Sequence, residues 1–282
     1  MYKIVIAAIA LVAAPAAAQA QNTPPQGASI VSQALSEPVA PEIVKDFAPT
    51  GKLRAAINQG NSVLVQKQPD GSEPTGVTIM LAKELGKRLG VPVELVLFNA
   101  AGEVFAALKE QRWDIAFLAV EPVRAAEIDF TAPYVIIEGA YMALKDSPLK
   151  TPADVDQKGI RIAVGKGSAY DLYLTRTIKN AEIVRAATGG GRASIDLFFK
   201  DKLDVAAGVR QPLAEYAKTD PNVRVMEQRF MAIEQAMGTP KGRAAAADYL
   251  KGFVEEMKRS GFVANALKQT NQPDAQVAPA AN

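Results

Sequence analysis

Residues 77–98 read VTIMLAKELGKRLGVPVELVLF, and this stretch decides the fold class. In its first part, apolar residues recur every fourth position, which is the spacing of one buried helix face. These residues are Val77, Leu81, Leu85 and Leu89. Gly90 ends the predicted helix, and Val93 to Phe98 then reads as a β-strand. A helix followed directly by a strand is the repeating element of an α/β chain.

The alternation continues on both sides of this stretch. Before it, Leu53 to Asn58 has the pattern of a strand. After it, Glu103 to Gln111 predicts a helix, and Asp114 to Val120 predicts a strand that is buried on both faces. The first part of the chain is therefore a strand-helix-strand-helix-strand unit.

The same plan starts again after an apolar segment from Tyr134 to Leu144. The predicted strands are Ile160–Val164, Ile183–Ala187 and Val205–Gly208, and the predicted helices between them are Ala169–Ile178 and Ser194–Lys200. A last long helix is predicted over Ala245–Lys258 from its apolar i, i+3, i+4, i+7 spacing. Two α/β units of similar plan are expected.

The ends of the chain have a different composition. Lys3, the apolar run Ile4 to Ala14 and the small-x-small site Ala18-Gln19-Ala20 predict a cleaved signal peptide over 1–20. Residues 21–50 read as a polar tether with one short helix near Pro41 to Phe47, and 269–282 read as a disordered tail. The mature protein is thus expected to be exported and soluble.

Composition excludes several kinds of site. The 282 residues include no Cys and no His, so disulfides, thiolate metal sites and imidazole catalysis are absent. Lys and Arg number 32 against 30 Asp and Glu, and this formal charge of +2 gives no field for nucleic acid. No cofactor, metal ion or nucleic-acid partner is predicted.

Several fragments occur in an order that is typical of one family. They are GKLRAAI (51–57), EPTGVTIMLAKELGKRLGVPVELV (73–96), ALKEQRWDIAF (107–117), VRAAEIDFTAPY (123–134), KGIRIAVGKGSAYDLYL (158–174) and PKGRAAAADYLKGFVEEMKRSG (240–261). Over about residues 51–267 the chain resembles the extracellular solute-binding proteins that serve amino-acid-type ABC importers.

This resemblance implies an α/β, two-lobed, type II periplasmic-binding-protein-like fold with two crossover hinge strands. Lobe 1 would comprise 51–142 and 234–268, and lobe 2 would comprise 143–233. A small carboxylate-bearing ligand would bind in the cleft, and the lobes would close on it. The implied setting is the periplasm, with a monomeric protein that delivers its ligand to an ABC transporter permease in the inner membrane.

Two positions match residues that hold the ligand in this family. Arg124 matches the arginine that binds the ligand carboxylate. Its planar guanidinium can donate two parallel hydrogen bonds to the two carboxylate oxygens. Its alternative is a surface arginine that opens a helix or pairs with Glu127 or Asp129. Ser168, after Gly167, matches a hydroxyl-bearing residue of lobe 2 that adds a second contact, and its alternative is a helix N-cap only.

Two other positions depart from the family pattern. The turn at Leu118, Ala119 and Glu121 lacks the usual hydroxyl and carries a carboxylate, which could meet a cationic ligand group, be exposed, or pair with Arg124. Val209 and Arg210 stand where the family usually has an aspartate that holds an ammonium group. Either Glu121 replaces that aspartate, or the ligand lacks an α-amino group, since an unpaired buried ammonium is costly.

Asn61 and Phe98 occupy places where relatives supply polar and stacking contacts, so both are further candidates for the ligand site. The main functional rival is an enzyme of the same fold, similar to cyclohexadienyl dehydratases, in which Glu121 would be the acid. A sensory binding protein that docks on a receptor is the third reading. The sequence favours a binding protein without catalysis.

Overall fold

The computed structural model of the protein describes Met1 and residues 38–187, 190 and 192–281. The predicted signal peptide, apart from Met1, and the tether as far as residue 37 lie outside the described residues. Within the described part, no helix combines the length and the apolar character needed to cross a bilayer.

The elements follow one another as an α/β chain. The helices are α1 (Pro41–Phe47), α2 (Val77–Leu89), α3 (Ala101–Ala106), α4 (Pro122–Ala125), α5 (Ala169–Thr177), α6 (Ala193–Lys200), α7 (Arg210–Thr219), α8 (Ala244–Arg259) and α9 (Phe262–Gln269). The strands are β1 (Leu53–Asn58), β2 (Val93–Phe98), β3 (Ile115–Ala119), β4 (Ile128–Phe130), β5 (Val135–Leu144), β6 (Arg161–Gly165), β7 (Glu182–Ala186), β8 (Val205–Val209), β9 (Val223–Val225), β10 (Met231–Pro240) and β11 (Gln276–Val277). A short 3-10 helix covers Pro152–Asp154.

One continuous sheet runs in the order β2-β1-β3-β10-β5-β8-β6-β7. Strand β1 pairs in parallel with β2 and β3, and β6 pairs in parallel with β7 and β8. The two long strands β10 and β5 lie between these groups and pair antiparallel with each other and with β3 and β8 respectively. Strands β4, β9 and β11 pair at the sides of these two long strands.

The sheet therefore has two parallel groups of the same internal order. We call β1 to β3 with α2 to α4 the first half, and β6 to β8 with α5 to α7 the second half. In each half the first strand is central and is flanked by the second and third, because each strand-helix-strand connection returns to the same sheet. The two long strands are the only sheet connections between the halves among the described residues. The prediction of an α/β fold with two crossover strands is confirmed.

The last long helix packs on the first half. Arg88 of α2 donates two hydrogen bonds to the carboxylate of Glu256 on α8, at 2.7 and 2.9 Å. The guanidinium of Arg88 also lies 5.3 Å from the ring centre of Phe253. A bidentate arginine-carboxylate pair combined with burial of its carbon stem fixes the two helices against each other.

The sequence analysis placed several boundaries differently. The helix predicted over Glu103–Gln111 ends at Ala106, and the chain then continues in turns to Gln111, which has a left-handed φ of 51°. Helices α7 and α9 were not predicted. The predicted disordered tail over 269–282 is wrong for the described residues, since β11 pairs with β5 and the main-chain N–H of Ala278 donates to the carbonyl of Tyr134.

A buried carboxylate ties the first half to α8. Asp114, at the start of β3, accepts hydrogen bonds from the main-chain N–H, Nε and Nη2 of Arg54 and from Nη1 of Arg243, all between 2.9 and 3.0 Å. Burial alone would raise the pKa of Asp114, but the bonds from Arg54 and Arg243 outweigh it and hold that pKa below its usual range. Asp114 is thus ionised and shared between β1 and the entry to α8.

Replacing this carboxylate should destabilise the protein. Asp114→Asn leaves two arginines without their counter-ion and should lower the free energy of unfolding by about 3 kcal/mol at neutral pH. Because the folded pKa is depressed, the difference between wild type and variant should be full above pH ~4 and shrink as the pH falls through the folded pKa. Urea titrations at several pH values measure both effects.

The exposed pair of Asp248 with Lys251 supplies the control. Asp248→Asn should change the free energy of unfolding by no more than about 0.5 kcal/mol. A difference between Asp114→Asn and wild type that grows toward acid pH would contradict this account of Asp114.

Candidate functional site

The candidate site lies where the carboxyl ends of the parallel strands of the two halves meet. In the first half, the loops after β1 and β3 carry Asn61, Glu121 and Arg124. In the second half, the loop after β6 carries Gly167 and Ser168. Loops at the carboxyl ends of parallel strands are the usual position of ligand sites in α/β sheets. Direct contacts between these loops bring the two halves together, as the following residues show.

Arg124 is the centre of these contacts. It belongs to α4, a single turn that starts at Pro122, and its side chain is fully buried. Nη1 donates to the carbonyl of Ala119 in its own half, and Nη2 donates to the carbonyl of Gly167 in the other half, both at 2.9 Å. Nε is buried, and it has no hydrogen-bond partner among the residues that the structure describes. The guanidinium thus bridges the halves, and its Nε–H is left unused.

The charge of Arg124 has no carboxylate bonded to it within the described residues. Burial lowers the pKa of Arg124 to about 10, and the nearby charge of Glu121 opposes that shift. The side chain is therefore still a cation at neutral pH. Its predicted alternative was a surface arginine that opens a helix or pairs with Glu127 or Asp129. Arg124 does lie in the single turn of α4, but the surface position is wrong because the side chain is buried, and it makes neither pair among the described contacts.

The loop that receives Arg124 is held in place by the second half. Gly167 has a φ of +71°, a left-handed conformation that favours glycine, and its N–H donates to the carboxylate of Asp171 at 2.8 Å. Ser168 is the N-cap of α5, where its hydroxyl oxygen accepts from the N–H of Asp171 at 3.1 Å. The cap predicted for Ser168 is confirmed, and its ligand contact stays a prediction.

Glu121 makes a second contact between the halves. Its carboxylate is 2% exposed and forms an ion pair with the guanidinium of Arg176 on α5. The sequence analysis considered an exposed Glu121 or a pair with Arg124, and both are wrong. Arg176 was not singled out, since nothing in its local sequence marks a partner 55 residues away in another half.

The other first-half candidates are placed differently. The side chains of Leu118 and Phe98 are buried in the apolar cluster around Trp113, so neither is directed into the contact between the halves. Ala119 contributes its carbonyl, which accepts from Arg124. Asn61 is half-buried, and its Oδ1 has no hydrogen-bond partner within the described ranges. Of these residues, only Ala119 contacts Arg124 directly.

Arg210 is hydrogen-bonded to the long strand β5 and to the segment before β10. Its Nε donates to the carboxylate of Glu138 on β5 at 2.6 Å, and its two Nη atoms donate to the carbonyls of Met226 and Glu227. Val209 is half-buried at the start of α7 and pairs with Gly139 of β5. The structure therefore does not bring Arg210 to Arg124. The hydrogen bonds of Arg210 instead attach the second half to the segment before β10.

The space left between the halves is small. A cavity of about 40 Å³ is lined by Asn58, Gly60, Ala100, Ala101, Gly165, Lys166, Ser168 and Gly190. At its edge the backbones of Gly102 and Gly167 nearly touch, because a Cβ placed on Gly102 would lie 3.2 Å from the Cα of Gly167. Such a cavity holds about one water molecule, whereas small-molecule sites usually measure several hundred Å³. An amino-acid-sized ligand does not fit into this cavity as it stands.

A larger cavity, of about 680 Å³, lies elsewhere in the second half. It is lined by the segment 144–148 and by residues at the end of α6, including the exposed Phe199. This groove is on the amino-terminal side of β8, opposite the edge where Arg124 and Gly167 meet. The larger cavity is therefore separate from the contact between the halves that contains the buried charge of Arg124.

Residues 53–270 match the family described as "Bacterial extracellular solute-binding proteins, family 3". The chain belongs to this family. The match covers both halves and both long strands, so the resemblance recognised in the sequence fragments is confirmed.

Relatives of this solute-binding protein have known names. The L-cystine-binding protein TcyJ of Escherichia coli is 24% identical over 77% of this chain and 85% of that protein. ABC transporter arginine-binding protein 1 of Escherichia coli is 28% identical over 67% of this chain and 75% of that protein. The solved solute receptor for L-cysteine of Neisseria gonorrhoeae superposes with a TM-score of 0.70 at 23% identity. The superposition covers 82% of this chain and 94% of that one. This last similarity supports the two-lobed fold.

The near-contact of the two glycines should limit how far this solute-binding protein can close. Gly102→Leu places a side chain against Gly167 and Lys166, so the halves should stay further apart and the radius of gyration should rise. Small-angle scattering measures this directly.

The matched control is Gly252→Leu, because Gly252 is also helical and nothing lies within 4 Å of a Cβ placed there. This variant should keep the wild-type radius. If Gly102→Leu also scatters like wild type, then the contact between the glycines does not limit closure in solution.

Proposed function

We propose that this protein is a periplasmic receptor of an ABC importer and that it captures a small carboxylate-bearing ligand between its two halves. The observation that carries this proposal is the buried guanidinium of Arg124, which among the described residues has no carboxylate bonded to it and no acceptor for its Nε–H. A buried cation is stabilised by an anion that accepts its hydrogen bonds. The ligand carboxylate would supply that anion.

The donors of Arg124 suit this role. Nη1 is anchored on the carbonyl of Ala119 in the same half, so it orients the side chain whether or not the halves touch. Nε and Nη2 form the other edge of the planar group, and this edge can bind both oxygens of a carboxylate. When the halves separate, Nη2 leaves the carbonyl of Gly167, and both donors become available to the ligand. Ser168 lines the adjoining cavity and would add a hydroxyl contact.

The surrounding charges favour a ligand without an ammonium group, because the nearby carboxylates are already paired with arginines. Glu121 is paired with Arg176, and Glu138 is paired with Arg210 and Arg229. Val209 replaces the aspartate that the family pattern places there. An organic acid or an N-blocked amino acid therefore fits this site better than a free α-amino acid, although the named relatives bind cystine, arginine and cysteine.

The same pairing argues for binding without catalysis. A dehydratase of this fold would need an acid that is free to donate a proton to its substrate. The carboxylate of Glu121 is already engaged by Arg176, and no base partner lies beside it among the described contacts. This pairing is the observation on which we prefer binding to catalysis.

We also propose export to the periplasm, which rests on the signal-peptide pattern over residues 1–20. Mass analysis of protein recovered from the periplasm should show a mature chain that begins at or near Gln21. Recovery of the uncleaved chain in the cytoplasm alone would contradict this.

Removal of the guanidinium should abolish tight binding. The probes are a panel of L-cystine, L-arginine, L-alanine, N-acetyl-L-alanine, pyruvate and succinate, screened by thermal shift and then titrated calorimetrically. Arg124→Ala should weaken the binding of the best probe by about thirty-fold or more, because its carboxylate loses a bidentate partner. Arg124→Lys should restore only part of the affinity, and Ser168→Ala should cost roughly five-fold.

The control is Lys251→Ala, since Lys251 forms an exposed pair with Asp248 on α8 and should leave affinity unchanged. Wild-type affinity in Arg124→Ala would contradict the proposed site. Formation of an aromatic product from prephenate or arogenate would contradict binding without catalysis.

A further inference from the structure

The loop that carries Ser168 is held by the buried carboxylate of Asp171, in the first turn of α5. Oδ2 of Asp171 accepts from the main-chain N–H of Gly167 at 2.8 Å, and Oδ1 accepts from Nε of Arg185 on β7 at 2.9 Å. The N–H of Asp171 donates to the hydroxyl oxygen of Ser168 at 3.1 Å. All of these residues belong to the second half, so none of these bonds depends on how the two halves are arranged.

The carboxylate of Asp171 does more than complete a helix cap. In an ordinary capping box, the acid at the third helical position accepts from the N–H of the N-cap residue itself. Here the N–H of Ser168 donates to the carbonyl of Gly165 at 3.1 Å, and Asp171 instead accepts from Gly167, the residue before the cap. Asp171 therefore fixes the turn between β6 and α5 as well as the start of the helix.

Arg185 orients this carboxylate. Its Nη2 also donates to Oγ1 of Thr175 at 2.7 Å, and that hydroxyl in turn donates to the carbonyl of Asp171 at 2.7 Å. The guanidinium thus engages Oδ1 and leaves Oδ2 for Gly167. A buried carboxylate also needs donors and a counter-ion, and Arg185 supplies both.

The hydroxyl of Ser168 is the group that these bonds place. Its oxygen accepts from the N–H of Asp171, so the hydroxyl hydrogen lies on another side of that oxygen and can be donated to a ligand. Asp171 is bonded both to this hydroxyl and to Gly167, the neighbouring residue. These two bonds set the position from which Ser168 donates.

We propose that Asp171, oriented by Arg185, is a positioning residue that fixes the hydroxyl of Ser168 for its hydrogen bond to the ligand carboxylate. This inference rests on the proposed function. Both oxygens of Asp171 are engaged within the second half, so Asp171 acts on the ligand through Ser168 rather than by direct contact. Removing the carboxylate should therefore cost the same affinity as removing the hydroxyl.

The first test is a pair of variants and their combination, titrated with the best probe of the panel. In Asp171→Asn the amide can accept on one side only, and its NH2 group then faces the N–H of Gly167 or the guanidinium of Arg185. Affinity should fall about five-fold, as in Ser168→Ala, and the double variant should also lose about five-fold instead of the product of about 25-fold. A loss equal to the product would overturn the proposal.

The control for this test is Asp204→Asn. Asp204 also accepts a main-chain N–H and lies beside an arginine of the second half, but its partner is Arg161, at the opposite end of β6. This variant should keep wild-type affinity. If Asp204→Asn weakens binding as much as Asp171→Asn, then the loss reflects the general stability of the second half and the proposal is wrong.

The second test needs no ligand. In protein labelled with 15N-glycine, the N–H of Gly167 should exchange with solvent about ten-fold faster or more in Asp171→Asn than in wild type or Asp204→Asn. Unchanged exchange would overturn the proposal. Faster exchange in Asp171→Asn together with wild-type affinity in Arg124→Ala would contradict the carboxylate site, but not the hold of Asp171 on the loop.

Discussion

A fully buried guanidinium shared between two halves of one sheet is the constraint on which the rest of the site depends. Nη1 of Arg124 has an acceptor in its own half and Nη2 has one in the other half, whereas Nε has none in the described part of the chain. Because an arginine keeps its charge even when buried, the surroundings must supply acceptors. In the touching arrangement those acceptors are two main-chain carbonyls, which are weaker partners for a cation than a carboxylate is.

The attachment of the second half explains how this contact can change without unfolding. Arg210 holds the start of α7 to Glu138 of β5 and to the segment that precedes β10, so one side of the half is fixed to the long strands. The loops after β3 and β6 lie at the other side and meet through Arg124, Glu121 and two glycines. Motion about the two long strands would break those few contacts and leave each half intact.

The sequence predicted those features that have a local cause. The spacing of Val77, Leu81, Leu85 and Leu89 placed α2 over its observed range, and Ser168 caps α5 as a serine before a helix should. Arg124 was recognised only because the surrounding fragment resembles a family. The pair of Glu121 with Arg176, and the pairing of the tail with β5, depend on residues far apart in the chain, and no local pattern carries that information.

The central claim is that Arg124 exchanges a carbonyl of the second half for a ligand carboxylate. The most direct measurement follows the Nε–H signal of Arg124 by NMR in protein with 15N-labelled arginine, assigned by its loss in Arg124→Lys. The account predicts a signal protected from solvent exchange that shifts strongly downfield when the best probe of the panel is added to saturation. A signal that stays at its free position at saturation would contradict it.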